Sequence, residues 1–415
     1  MIVAGDASAG TPRTTCGSRL ATLRVYRAAH LTGTGGWRPL YRVTSRAKIR
    51  LAGIATAAVA APVAAALRFA HVYRRRAGHP RPQPPTSDPS DFGLVHEDRS
   101  VPSSDGLVLP AWWIPAAGGE RAPAIVLVHG WESARHRTLP NAQFLHALGY
   151  HVLTLDVRGH GANAAETLPV SAGEFGADAL AGVEAALADP AVTAVAVLGH
   201  SMGSVGAALA AAAEPRVAAL VLTATPADPY RMTRQTFRLA HIPLPDPIAF
   251  PLAWLTTRVY LKPRGRAPRE ISASAALGRY TGPVLAIHGT DDQIVPYGHL
   301  ERLLAAGRSA RLANPDAAPI ESLSIPDGRH SWLYEFPAYR GAIGRFLATA
   351  LGGPMSPDEA ALVAEGIDAR RPVEPDHGFS ALAPVAPIET QASNGVSPGT
   401  GAAAPSPTVV AKGDD

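Results

Sequence analysis

Gly199-His200-Ser201-Met202-Gly203 is a G-x-S-x-G pentapeptide, and its flanks decide how the chain folds. Ahead of it runs Ala194-Val195-Ala196-Val197-Leu198, a short valine-rich apolar run that reads as a buried strand. Behind it runs Ser204-Val205-Gly206-Ala207-Ala208-Leu209-Ala210, an alanine-rich stretch that reads as a packed helix. A serine in so tight a strand-to-helix turn is presented at the edge of a sheet with its hydroxyl exposed. The two glycines remove Cβ atoms where backbones crowd. The first amides of the helix point toward any negative charge that develops beside the serine. A chain with 39 glycines produces such a pentapeptide by chance, so its weight comes from what surrounds it.

Outward from the elbow, strands alternate with helical stretches. Residues 107–114, 124–129, 151–156, 218–223, 284–287 and 321–325 read as further strands. Helices are expected over 139–148, 176–187 and 334–351. Pro110, in the earliest of the strands, favours the edge of a sheet. Runs apolar on both faces, alternating with helices, indicate a mostly parallel central sheet covered on both sides, an α/β architecture. Residues 226–280 break the rhythm with Pro243, Pro245, Pro247 and Pro251 beside Phe237, Phe250, Trp254 and Tyr260. They read as a helical cap insertion over an apolar pocket.

The ends of the chain differ from this body. Residues 1–48 are basic and irregular, a disordered or targeting extension. Within residues 49–76, the stretch 51–67 carries no charge, and Arg46, Lys48 and Arg50 precede it while Arg68 and Arg74 to Arg76 follow. Its 17 residues approach the ~20 a spanning helix needs. A membrane anchor is the expectation, with cytoplasmic or secreted alternatives through a soluble helix or a signal segment cleaved after Ala64-Ala65-Ala66. Positive charge on both sides leaves the orientation unread. Residues 77–91 form a Pro-rich linker, 92–352 the catalytic-sized body, and 353–415 a mostly disordered tail with one short helix near 357–364. The net charge of +4 comes with no aromatic-interleaved basic stripe, so nucleic-acid binding is not expected. The lone Cys16 excludes an intramolecular disulfide and any multi-cysteine metal site.

A serine hydroxyl attacks only when a base takes its proton, and the base needs a carboxylate to orient it. A nucleophile on such an elbow is followed by the acid and then the histidine. For the acid, Val284-Leu285-Ala286-Ile287 runs into His288-Gly289-Thr290-Asp291-Asp292-Gln293-Ile294-Val295-Pro296, where Asp291 and Asp292 compete. For the base, the last strand ends in a loop, Asp327-Gly328-Arg329-His330-Ser331, which offers His330. The developing oxyanion needs two preorganised amides. The amide of Met202 supplies one, and the turn at His129-Gly130-Trp131 aims the amide of Trp131 as the other. Asp156 and His160 lack a third donor at metal-binding spacing, and no phosphate cradle follows a first strand, so no metal or cofactor is expected.

Together, Val128-His129-Gly130-Trp131, Asp156-Val157-Arg158-Gly159-His160-Gly161, the Gly199 to Gly203 elbow, His288 to Pro296 and Gly328-Arg329-His330 resemble the α/β-hydrolase superfamily over residues 92–352. Within it they are similar to the lysophospholipase, monoacylglycerol-lipase and serine-aminopeptidase-like group. That group's His-Gly-x-x-Asp-x-x-Val-Pro pattern implies Asp292 rather than Asp291 as the acid. The resemblance implies a Ser201–His330–Asp292 triad with oxyanion amides from Trp131 and Met202. The expected activity is hydrolysis of a carboxylic ester, an acyl or lipid-like small molecule, through an acyl-enzyme. Alternatives on the same triad are an aminopeptidase, acyl-peptidase or thioesterase; a pseudo-hydrolase that only binds is the non-enzymatic one. The oligomeric state is not legible.

Overall fold

The computed structural model describes residues 45–117, 121–369 and 371–372. Residues 1–44, with Cys16, and the tail from 373 onward lie outside the described residues. Two units are distinguished, Met1–Ala58 and Val59–Asp415. In the first, residues 45–58 are helical and form the opening turns of α1 (Ser45–Ala77), with Ile49 and Ile54 exposed. All the strands and the remaining helices belong to the second unit.

Its sheet has eight strands: β1 (Glu97–Pro102), β2 (Val108–Ile114), β3 (Ala122–Val128), β4 (His151–Leu155), β5 (Val192–His200), β6 (Val217–Thr223), β7 (Val284–Gly289) and β8 (Ile320–Ile325). Their order is β1-β2-β4-β3-β5-β6-β7-β8. β2 runs antiparallel to both its neighbours, and the other pairs are parallel. Strands β3 and β4 are buried along their whole length, which is why they read as unbroken apolar runs.

Pro110 is not on an edge strand. β1 pairs with β2 along its outer side, and Glu97-Asp98-Arg99-Ser100 is too polar to signal a strand from composition. Proline is tolerated there because the ladder to β4 stops at Ala111↔Leu155, so Pro110 faces Asp156 just past its end. Asp156 N donates to Pro110 O at 2.9 Å. The Asp156 carbonyl, which a proline cannot serve, accepts instead from Asn163 Nδ2 at 2.8 Å.

Helices cover both faces. They are α2 (Leu139–Ala147), α3 (Ala172–Leu187), α4 (Met202–Ala213), α5 (Pro229–Leu239), α6 (Asp246–Leu261), α7 (Ala273–Leu277), α8 (Gly298–Ala313), α9 (Pro337–Leu351) and α10 (Pro357–Gly366). On one face Val126, Val197 and Leu222 pack with Phe175 and Val183 of α3, Val205 and Ala208 of α4, Ala276 of α7 and Leu300 of α8. On the other, Ile125, Leu127, Val221 and Leu285 pack with Phe144 of α2, Ile343 and Leu347 of α9, and Ala360 and Ala364 of α10. Each large side chain so buried contributes roughly 1.5–3 kcal/mol.

Several boundaries move from the sequence expectation. α3 begins at Ala172, ahead of the expected 176, because Ser171 and Glu174 form a capping box: Gly173 N donates to Ser171 Oγ at 3.2 Å and Ser171 N to Glu174 Oε2 at 2.8 Å. The body does not stop at 352, since α10 lies against α9 with Ala360, Ala361 and Ala364 buried. Nor is 77–91 a free linker: Gly78, Pro80 and Pro89 are buried, and Val170 N donates to Gly78 O at 2.8 Å.

Between β6 and β7 the chain leaves the sheet to form α5 and α6, the two helices of the cap, while α7 already packs on α4 and α8. Among the described residues one helical stretch, Ala52–Ala77, is long and apolar enough to cross a membrane. Its last turns are spoken for: Ala70 is fully buried, and Phe69 meets the ring of Phe237 edge-on at 5.3 Å.

Candidate active site

Packing forces the turn that carries Ser201. A Cβ on Gly203 would fall 2.2 Å from Val128 O, and one on Gly199 2.4 Å from Gly203 O, so strand, turn and helix touch through bare backbone. We expect Gly203→Ala to destabilise the fold by about 3 kcal/mol or more, read as a fall in the denaturant midpoint; an unchanged midpoint would contradict this packing. Ser201 itself takes φ 54° and ψ −120°, a conformation that costs on the order of 1–3 kcal/mol and persists only where neighbours hold it. Here β6 holds it. Ser201 N donates to Thr223 O at 2.9 Å. Ser204 Oγ accepts from Thr223 N at 2.9 Å and donates to Gly199 O at 2.5 Å. Ser204 carried no signal in the sequence, because its task depends on a strand 19 residues away.

His330, on the loop after β8, reaches this serine: its Nε2 is 3.0 Å from Ser201 Oγ. Its Nδ1 is 2.8 Å from Asp292 Oδ2. A carboxylate only accepts, so Nδ1 carries the proton and Nε2 is free to accept the serine hydroxyl's. Asp292 sits past the end of β7, with Oδ1 accepting from Ile294 N at 2.9 Å and Val295 N at 2.8 Å. Burial pushes its pKa up, but hydrogen bonds from His288 and His330 outweigh this and hold the carboxyl well below the usual range. His288 is a second, unforeseen neighbour, its Nε2 2.8 Å from Val295 O and 3.4 Å from Asp292 Oδ2. Asp291 is exposed on the turn, its amide donating to Gly328 O at 3.0 Å.

His200, inside the elbow, lies 5.0 Å ring to ring from His330. Burial, helped by the charge that His330 carries when protonated, lowers its pKa to about 3, so His200 stays neutral. Met202 opens α4, where an amide has no acceptor inside the helix. The loop after β3 passes in contact, with the Cβ position of Gly130 3.4 Å from Ser201 Cβ. Trp131 follows, its indole against Phe175 at 6.4 Å and His160 at 5.2 Å. Asp156 is committed to Arg135, whose N and Nη1 lie 2.7 Å and 2.6 Å from its two oxygens, and to Ala162 N at 2.9 Å.

Two hollows meet at Ser201 and Trp131. One is apolar, reaching Met202, Val205, Met232, Leu261 and Ile271 under the cap. The other is a polar groove along Glu132, Arg137, Asp291, Asp327, Arg329 and Glu335. Of Phe237, Phe250, Trp254 and Tyr260 in the cap, only Tyr260 lines this hollow. Phe250 lies under Arg234, 4.5 Å from ring to guanidinium, and Trp254 is 48% exposed beneath Arg258.

Known proteins agree with this architecture. Residues 119–265, which include the elbow but neither Asp292 nor His330, match the family described as serine aminopeptidase, S33. The uncharacterized protein Rv2307c of Mycobacterium tuberculosis is 31% identical over 211 residues, spanning 50% of this chain and 66% of that protein. The α/β hydrolase domain-containing protein WAV2 of Arabidopsis thaliana is 29% identical over 260 residues, 59% of this chain and 76% of that one. Among solved structures, the Pyrococcus furiosus esterase PF2001 superposes with a TM-score of 0.53 at 21% identity, covering 66% of this chain and 97% of the esterase. Strand order and superposition converge on an α/β-hydrolase fold, and residues 119–265 are similar to the serine aminopeptidase, S33 family.

Proposed function

We propose that this hydrolase-fold chain is a serine hydrolase that cleaves a carboxylic ester through an acyl-enzyme on Ser201. The observation that carries the reading is the bridge made by His330, 3.0 Å from Ser201 Oγ on one side and 2.8 Å from Asp292 Oδ2 on the other. His330 takes the hydroxyl proton as Ser201 attacks the carbonyl carbon, while the amides of Met202 and Trp131 face the oxyanion. The imidazolium then gives its proton to the departing alkoxide. Water, deprotonated by the same imidazole, attacks the acyl-enzyme and returns the carboxylic acid. The apolar hollow beside Ser201 supports an acyl or lipid-like group as the part retained. A fluorophosphonate probe tests the nucleophile: an adduct on Ser201 is expected, and its absence from folded protein would favour a binding protein without catalysis.

An aminopeptidase is the second reading, favoured by the family match and by Glu132, Asp291 and Asp327 along the polar groove, where a substrate ammonium would need carboxylates. Aminoacyl p-nitroanilides turned over faster than esters would move the assignment to it.

We also propose that residues 51–67 anchor the chain in a membrane, supported by the length and composition of α1. Fractionated cells should hold the protein in the membrane pellet, resistant to high salt, with its N-terminal residues retained. A mature N-terminus just after Ala66 would replace the anchor with a cleaved signal.

A further inference from the structure

The apolar hollow has a wall that none of the catalytic elements supplies. Tyr73 and Ala77, in the last turns of α1, line the same cavity as Ser201 and Met202. They belong to the segment ahead of the matched residues 119–265. These turns are fixed to the body. Thr236 Oγ1 donates its single proton to Thr233 O at 2.7 Å, so the Tyr73 hydroxyl donates to Thr236 Oγ1 at 2.6 Å. The Tyr73 ring meets Phe237 edge-on at 5.7 Å and Tyr260 at 6.4 Å. The Tyr260 hydroxyl reaches the carbonyls of Val170 and Ala77, the latter at 3.3 Å. With its hydroxyl bonded to the cap, Tyr73 offers the cavity ring carbons rather than a polar group.

We propose that α1 closes the acyl-binding cavity and that Tyr73 sets the length of acyl chain the enzyme accepts, a role that rests on the serine-hydrolase reading above. The extension would then be a specificity element as well as a leader to the domain. A ring wedged between α5 and α6 cannot yield to a longer chain without breaking its bond to Thr236 and its contacts with Phe237 and Tyr260, whereas a small residue leaves room for additional methylenes. Each methylene admitted to or excluded from such a pocket changes selectivity roughly 10- to 200-fold.

The test is a p-nitrophenyl ester series from acetate to laurate, assayed on the full chain. The readout is the ratio of kcat/KM for decanoate to that for butyrate. Tyr73→Ala should raise the ratio by about tenfold or more, and Tyr73→Trp should lower it by a similar factor. Ala77→Leu, which adds bulk to the same wall without removing any packing, should also lower it. Ala77→Leu therefore decides the matter if Tyr73→Ala fails to fold. Ratios within twofold of the parent in the folded variants, with Ser201 still labelled by fluorophosphonate, would overturn the assignment of α1 as a wall. A parent that neither labels nor hydrolyses any ester would overturn the hydrolase reading instead, so the two failures are separable.

Discussion

Ser201→Ala is expected to lower kcat for a p-nitrophenyl ester by on the order of 10^5- to 10^6-fold while leaving the protein folded. The size follows from what the hydroxyl does. In the proposed mechanism it supplies the atom that becomes acylated, and the residual rate would come only from binding and from amides facing the carbonyl oxygen. The stability forecast follows from what it does not do. The elbow is tied to β6 by the Ser201 amide and by Ser204, and an alanine keeps both ties. Alanine also occupies the same backbone angles at similar strain. Thermal midpoints of parent and variant should agree to within a few degrees, and the fluorophosphonate adduct should vanish. A variant retaining a tenth of the parent's turnover would remove Ser201 from the chemistry.

Asp292→Asn is expected to cost on the order of 10^4-fold in kcat, through the wrong tautomer rather than lost structure. The amides of Ile294 and Val295 hold Oδ1, so the carbonyl oxygen of an asparagine stays with them. Its NH2 group then faces His330 Nδ1, where a donor meets a donor. Relief comes by moving the imidazole proton to Nε2, which leaves nothing to accept the hydroxyl proton of Ser201. Stability should respond with a definite sign. The Asp292 pKa is depressed in the folded state, so its carboxylate stabilises the fold above the unfolded carboxylate pKa of ~3.9. That contribution is lost as pH falls through the folded value. The parent should therefore melt above the variant near neutrality, and the gap should narrow as the medium is made strongly acid. A gap that widens in acid, or a variant of near-parental kcat, would contradict the arrangement.

How much of this was legible in the sequence depends on the distance over which each signal acts. Strands β3 to β7 are buried on two sides, and their apolar runs declare them. β1 is an edge whose polar residues look like loop, and without it the strand carrying Pro110 reads as the edge of the sheet. The capping box at Ser171 and Glu174 was written in plain spacing, and it starts α3 earlier than its apolar run does. At the site, the elbow and the loop carrying His330 stand out because their residue types are confined to a few turns. The choice between Asp291 and Asp292 was not decided by local composition; it came from the resemblance, and the structure brings only Asp292 to His330. Ser204 and Tyr73 were invisible because each acts on a partner that folding alone brings near. The cap shows the same limit. Phe250, Trp254 and Tyr260 are alike in composition, yet only the third faces the cavity while arginines cover the other two.

The order of the strands has a consequence for synthesis on the ribosome. From β5 onward each emerging strand adds to the growing edge of the sheet, so the sheet is extended in the sequence in which it is translated. The face built from Ile125, Leu127 and Val221 is covered only in part then, by α2, because its remaining lids are α9 and α10 and α10 ends at Gly366. β6 is finished at Thr223, which leaves on the order of ten seconds of elongation before the lids emerge. During that interval the nascent chain presents a partly bare apolar face to its surroundings, and a message cut short before α10 would leave the share that Ala360 and Ala364 cover permanently open.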